Sequence, residues 1–206
     1  MDHRTYDCLI PLGQSCNVTF LLQNAQLKKQ TSLFEWFVSN HLSHITSVLN
    51  KIITEADTDI IKYNSGHVHI GDSNIYSGHY KYTEFLEIYK RRRDRMLELI
   101  RASKNILFVR FEYGTPILYS HREIDDFIGV IKIINPSLEN VKLLLITENP
   151  APIVHPSLHT VFFNKHHLDP YCKGEEINKL FVESLRAVGV NVDDKIRMTF
   201  TDKSEI

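Results

Sequence analysis

The stretch that decides the fold lies near the start of the chain and reads Tyr6-Asp7-Cys8-Leu9-Ile10-Pro11-Leu12-Gly13-Gln14-Ser15-Cys16-Asn17-Val18-Thr19-Phe20-Leu21-Leu22. Its first part, residues 6–12, is a short apolar run closed by Pro11 and Gly13, which predicts a buried strand. Apolar residues then recur at helical spacing, at Val18, Leu21, Leu22 and Ala25. The pattern therefore places Cys16 at a strand-to-helix turn.

A cysteine in such a turn is a candidate nucleophile. Gly13 gives the turn backbone freedom, and Ser15 is a candidate cap for the helix that follows. Helix N-termini lower the pKa of a thiol, and turns leave the sulfur accessible. The alternative is an unreactive Cys16 packed beneath the helix, which spacing alone leaves open.

Composition narrows the class of protein. The chain has 206 residues, 43% hydrophobic and 24% charged, with a formal charge of -1, so it is expected to form one globular domain, 1–206, without general nucleic-acid affinity. Three cysteines without CxxC spacing favour a reducing compartment over a disulfide framework or cysteine zinc site. We expect a cytoplasmic protein with no leader, no membrane association and no cofactor or metal.

Periodicity predicts the remaining elements. Helices are predicted at 42–53, 83–102, 121–134 and 175–188, strands at 105–112, 141–147 and 158–163, and a hairpin within 60–80. This alternation predicts an α/β fold: a single three-layer domain with a mostly parallel central sheet flanked by helices. Cys16 would lie at the carboxyl end of the first strand, where open α/β sheets bind ligands. Residues 193–206 are expected to be a polar, flexible tail.

Four segments resemble, in order, motifs of the DUF1796 family, described as papain-like cysteine peptidases. They are Leu12-Gly13-Gln14-Ser15-Cys16, Ser32-Leu33-Phe34-Glu35-Trp36, Arg91-Arg92 with Arg95-Met96, and Leu107-Phe108-Val109-Arg110. Where the family has proline and aspartate in the second motif, this chain has Leu33 and Glu35. The resemblance implies a thiol hydrolase acting on a peptide or another acyl substrate. A papain-like fold would separate a helical half from a barrel half, whereas this sequence alternates as a parallel sheet does.

The resemblance also implies a histidine just before the long helix, which here is His79. His79 is therefore the expected general base for Cys16, with His67 and His69 as close rivals and His166 and His167 as more distant ones. Gln14 is a candidate oxyanion donor.

Glu148 and Asn149 end an apolar strand and are candidates for the residue that orients the histidine, and our choice between them is Asn149.

Three alternatives remain. The pairs His67 and His69 with Asp72, or His166 and His167 with Asp169, are weak metal sites. An esterase of the Gly-Asp-Ser type would use Gly71-Asp72-Ser73, or Ser15 in the first turn, with His166 or His167.

A non-catalytic module for phosphate or sugar nucleotides would instead use Arg92 and Arg110, although no glycine-rich phosphate loop is present. Arg92 falls on the apolar stripe of its helix and needs a buried partner, for which Glu35 and Glu112 are candidates.

Overall fold

The structure is a computed structural model that describes residues 6–14, 16–28, 31–54, 61–71, 75–112, 119–148, 153–163 and 174–190. The helices are α1 Asn17–Asn24, α2 Leu42–Thr54, α3 Tyr82–Ala102, α4 His121–Ile134 and α5 Glu175–Ala187. The strands are β1 Cys8–Pro11, β2 Val38–Ser39, β3 Ile61–Asn64, β4 His67–Ile70, β5 Ile75–Ser77, β6 Asn105–Glu112, β7 Asn140–Thr147 and β8 Leu158–Phe162. The prediction for 193–206 lies outside the described residues.

Four of the strands form a parallel sheet in the order β1-β6-β7-β8. β6 and β7 are central and almost continuously buried, which explains their unbroken apolar sequences. The α/β fold class and the parallel sheet predicted from the sequence are therefore confirmed.

A second, antiparallel sheet has the order β2-β5-β4-β3. The hairpin predicted within 60–80 is the β3–β4 pair of this sheet, and β4 also pairs with β5. This sheet as a whole was not predicted from the sequence, because it depends on the pairing of Val38 with Tyr76, which are far apart in the chain. The prediction of a mostly parallel sheet therefore describes only one of the two sheets.

Side chains on the two faces of the parallel sheet pack into two clusters. On one face Ile106 and Phe108 of β6 pack with α2, α3, α4 and the antiparallel sheet. On the other face Leu107 and Val109 pack with α1 and α5. Helices thus pack on both faces, and the antiparallel sheet packs on one of them as well.

None of the helices within the described ranges is both long enough and apolar enough to span a membrane.

Candidate functional site

The turn between β1 and α1 is fixed by close backbone packing. Leu12 N donates to Val109 O at 2.8 Å, which holds the end of β1 on β6. A Cβ atom at Gly13 would lie 2.6 Å from Phe34 O and 2.7 Å from Phe37 O, so only glycine fits between this turn and residues 33–37. Residues 33–37 therefore pack across this turn.

Arg110 is the buried residue that anchors the turn. Its side chain is 0% exposed, and its guanidinium donates to Leu12 O at 3.0 Å and to Gly13 O. It also donates to Ser39 O at 2.6 Å and to Ser39 Oγ at 2.9 Å. The same guanidinium therefore joins the first turn, β2 and β6.

The charge of Arg110 is balanced inside the core. Its Nε lies 2.5 Å from Glu112 Oε1 and 3.0 Å from Tyr119 Oη, and the Tyr119 hydroxyl also donates to Glu112. Burial acts to lower the pKa of Arg110, but the Tyr119 and Glu112 oxygens outweigh it and raise that pKa. Burial raises the pKa of Tyr119 as well. All three guanidinium nitrogens thus donate to groups of the protein, which is a structural role rather than the phosphate-binding role considered for Arg110.

Cys16 lies at the N-cap position of α1, with φ -67° and ψ -9°. Its carbonyl oxygen accepts from Thr19 N at 3.0 Å and Phe20 N at 3.2 Å, and its side chain is half-buried. The first turn of α1, all of it described, contains no acidic residue. A negative charge there would offset the positive potential of the helix N-terminus that favours a thiolate. Ser15, the expected cap, lies outside the described residues, and the capping position belongs to Cys16 itself.

Trp36 connects α1 with His79. Its ring contacts Phe20 edge-on at a centroid distance of 5.4 Å and contacts His79 at 5.7 Å, while Lys28 Nζ lies 5.8 Å from the ring centre. Trp36 has φ 68°, a left-handed conformation that costs a non-glycine residue energy and marks an over-determined position. The Trp36 side chain thus contacts both His79 and Phe20 of α1.

His79 is exposed at the end of the antiparallel sheet, and its backbone N donates to Ser77 Oγ at 3.2 Å. Its rival His67 lies on the neighbouring strand, with Cδ2 3.4 Å from the position of a Cβ at Gly78. His69 contacts the ring of Tyr76 at 5.8 Å. His67 and His69 therefore lie on β4, and His79 lies just after the neighbouring strand, β5.

Several other sequence-predicted residues are placed less fully. Gln14 is half-buried in the turn two residues before Cys16. Glu148 follows β7, and its backbone N donates to Glu112 O at 3.4 Å. Asn149, Asp72, Ser73, His166, His167 and Asp169 lie outside the described residues. Among the residues that are described, His, Cys, Asp and Glu form no group of three or more suited to a metal ion.

The prediction for Arg92 was right about its need for a partner and wrong about which one. Arg92 is half-buried, donates from Nη1 to Tyr80 Oη at 2.7 Å and lies 5.2 Å above the Tyr80 ring. Burial raises the pKa of Tyr80 and outweighs the opposing effect of Arg92. Glu35 pairs instead with Lys28 at 2.8 Å, and Glu112 with Arg110.

Two features of this region were not predicted from the sequence. The first is the organising role of Arg110, for which an arginine inside an otherwise apolar strand was the available signal. The second is a cavity of about 340 Å³ beside β1, whose described lining includes Cys8 but not Cys16.

The fold and this site together define an α/β protein with a cysteine at the strand-to-helix turn of its parallel sheet and a histidine, His79, two residues after β5 of the antiparallel sheet. No family model, no curated protein and no solved structure matches this chain. The likeness to the DUF1796 family therefore stays a prediction from the four motifs.

Proposed function

We propose that this chain is a thiol hydrolase with Cys16 as nucleophile and His79 as general base. The single observation that carries the proposal is the position of Cys16 at the start of α1, in a turn that Arg110 holds through Leu12 O and Gly13 O. A helix N-terminus stabilises a thiolate, and a rigid turn keeps the sulfur in one place. The Trp36 contact to both Phe20 and His79 supports His79 as the partner.

The reaction begins with attack of the Cys16 thiolate on a carbonyl carbon of the substrate. A C–S bond forms, and the bond from that carbon to the leaving group breaks as His79 delivers a proton to the leaving group. Water then attacks the thioester while His79 accepts a proton from the water, and the proton returns to the Cys16 sulfur as the acid product leaves.

Gln14 is the proposed side-chain donor to the oxyanion that forms in each step. It lies in the turn that carries Cys16, where backbone N–H groups at the start of α1 also point toward incoming negative charge. Asn149 remains the proposed orienting residue for His79. The substrate class is a peptide or another acyl compound, and the mechanism needs no metal or cofactor.

The four family-like motifs give independent support, because the structure packs them together. Residues 33–37 lie against Gly13, Arg110 bonds to the first turn, and Arg95 Nη1 donates to Thr31 O at 3.2 Å beside the second motif. We also propose that the chain forms a single three-layer domain and that the protein is cytoplasmic. In this arrangement the turn after β5 of the antiparallel sheet carries His79.

A generic activated ester tests the proposal. With p-nitrophenyl acetate, we expect the wild-type protein to release p-nitrophenol in a burst and to gain one acetyl group on Cys16 by peptide mass spectrometry. Cys16→Ser should remove the burst, whereas Cys8→Ser, at the other half-buried described cysteine, should keep it. His79→Asn should lower the acylation rate by about 10²-fold or more, and His69→Asn is its control.

Acetylation of Cys8 in place of Cys16 would refute the assignment of Cys16 as the nucleophile. Equal rates of p-nitrophenol release for Cys16→Ser and wild type would refute it as well. A loss that follows His67→Asn rather than His79→Asn would refute the assignment of the base.

A further inference from the structure

β8, Leu158–Phe162, is the edge of the parallel sheet opposite to β1 in the part of the chain that the structure describes. Proteins usually protect such an edge with charged side chains, with proline or with a covering element. β8 and the residues directly before and after it, Ser157 and Phe163, include no Asp, Glu, Lys, Arg or Pro. β3, an edge of the antiparallel sheet, carries the exposed Lys62 instead. By these criteria β8 is the less protected of the two edges.

The backbone of β8 has hydrogen-bonding groups that point away from β7. Ser157 O accepts from β7 at 2.8 Å, and Phe163 N donates to β7 at 2.9 Å. Backbone groups alternate in direction along a strand, so those of residues 158, 160 and 162 point to the opposite side. Within the described chain, no group accepts a hydrogen bond from Thr160 N or Phe162 N. This edge can therefore accept another strand.

The same edge exposes large apolar side chains. Leu158 packs with the cluster on the α4 side of the sheet and Val161 with the cluster on the α5 side. Alternation therefore places Leu158, Thr160 and Phe162 on the α4 side. Phe162 is 57% exposed, and Val154, in the loop before the strand, is 89% exposed. Exposed apolar side chains beside an open strand edge indicate an interaction surface.

The edge is suited to pairing with a second copy of itself. Burial lowers the pKa of His159, so its imidazole is neutral at pH 7 and β8 carries no charge. Two copies of an uncharged strand bring no like charges together. A two-fold axis perpendicular to the sheet makes two such edges antiparallel. With the axis at Thr160, the exposed Phe162 of each copy lies opposite Leu158 of the other, on the same face of the sheet.

We propose that β8 pairs antiparallel with β8 of a second copy of this chain, about a two-fold axis at Thr160. Thr160 N of each copy donates to Thr160 O of the other, and Phe162 N donates to Leu158 O of the other. The outward carbonyl of Leu158 is the group used, because Leu158 N already donates to His155 O at 3.0 Å. The two four-stranded parallel sheets become one continuous sheet.

This dimer is independent of the proposed hydrolase function. The turn that carries Cys16 follows β1, which is the opposite edge of the parallel sheet. Pairing of one short strand buries less area than the roughly 1,600 Å² of a standard interface, so we expect the dimer to dissociate on dilution.

Sedimentation velocity of the full-length protein tests the proposal. From about 1 μM to about 500 μM we expect a monomer–dimer equilibrium. Phe162→Lys should raise the Kd of the dimer by at least about tenfold, because the substitution occurs twice in the interface. Tyr63→Lys is the matched control, since Tyr63 is an aromatic residue of the edge strand β3 with a similar exposure of 54%, and it should leave the Kd unchanged. If Phe162→Lys does not fold, Phe162→Ser and Tyr63→Ser give the same comparison.

The position of the two-fold axis has its own test. Thr160→Lys and Thr160→Glu should each weaken the dimer, because two like charges would then face each other across the axis. An equimolar mixture of the two variants should form a heterodimer at least as tight as the wild-type dimer.

A wild-type protein that stays monomeric up to about 500 μM would overturn the proposal. Equal effects of Phe162→Lys and Tyr63→Lys, or a mixture of the Thr160 variants that is no tighter than either alone, would overturn it as well. If the Thr160 and Phe162 amides of a monomeric protein exchange slowly only on adding an extended peptide, the edge binds an external partner and the proposal is wrong.

Discussion

Arg110 shows how one buried charge can set the geometry of a whole turn. A guanidinium that is 0% exposed is tolerated because Glu112 balances its charge and carbonyl oxygens accept hydrogen bonds from its other N–H groups. Two of those carbonyls, of Leu12 and Gly13, belong to the turn that leads to Cys16. The position of the thiol therefore depends on a residue nearly a hundred positions away in the chain.

The close backbone packing around Gly13 leads to a prediction about stability. Gly13→Ala should lower the free energy of unfolding by about 1–3 kcal/mol, as overpacking does, because the new Cβ would meet Phe34 O and Phe37 O at 2.6 and 2.7 Å. Chemical denaturation measures the change.

Gly129 supplies the matched control. It lies in α4, where a Cβ would have no atom within 4 Å, so Gly129→Ala should raise the free energy of unfolding by up to about 1 kcal/mol. If both substitutions stabilise the protein, the close packing of the turn against residues 33–37 is wrong.

Among the elements, those that the sequence predicts best are the ones with strong local signals. β6 and α4 begin and end where the sequence predicted, since β6 is a continuous apolar run and Ser120 and Glu123 form a capping box at the start of α4. β2 was missed because two residues, Val38 and Ser39, have no period to read. The partners of Arg92 and Arg110 were equally hidden, because contacts between distant elements leave no local pattern.

The link between β1 and β6 gives a pH-dependent prediction at this scale. The Asp7 carboxylate accepts from Lys104 N at 2.6 Å and from Asn105 N at 2.8 Å, which ties the start of β1 to the start of β6. The bonds from Asn105 and Lys104 lower the pKa of Asp7. A lowered pKa means that this contribution to stability is present above the pKa of the unfolded state and is lost as pH falls through the folded-state value.

Asp7→Asn should therefore lower Tm at pH 7 by up to about 2 °C, a small change because solvent screens this exposed carboxylate, and the difference from wild type should shrink toward zero in strong acid. Scanning calorimetry across pH measures it. Asp126→Asn, which removes a surface pair with Arg122 at 3.7 Å, should have little effect at either pH. A difference for Asp7→Asn that grows as pH falls would contradict the assignment.

At the scale of the whole molecule, the parallel sheet brings together elements that are far apart in the chain. Elements from the first and last parts of the chain, α1 and α5, share a cluster on one face, and the antiparallel sheet joins the cluster on the other. The sequence predicted the α/β class from alternation, but the second sheet depends on long-range pairing that no single window contains. The neighbourhood of Cys16 could be predicted in part, as a turn, while the Trp36 contact to His79 could not.

The most direct test of this account is the pH dependence of alkylation of Cys16 by iodoacetamide. A Cys8→Ser, Cys172→Ser background leaves Cys16 as the one thiol of the sequence. We expect the midpoint of the rate to lie below the usual thiol pKa of about 8.5, and we expect His79→Asn, but not His69→Asn, to shift that midpoint. A midpoint at or above the usual value, unchanged by His79→Asn, would contradict the claim that Cys16 is an activated nucleophile.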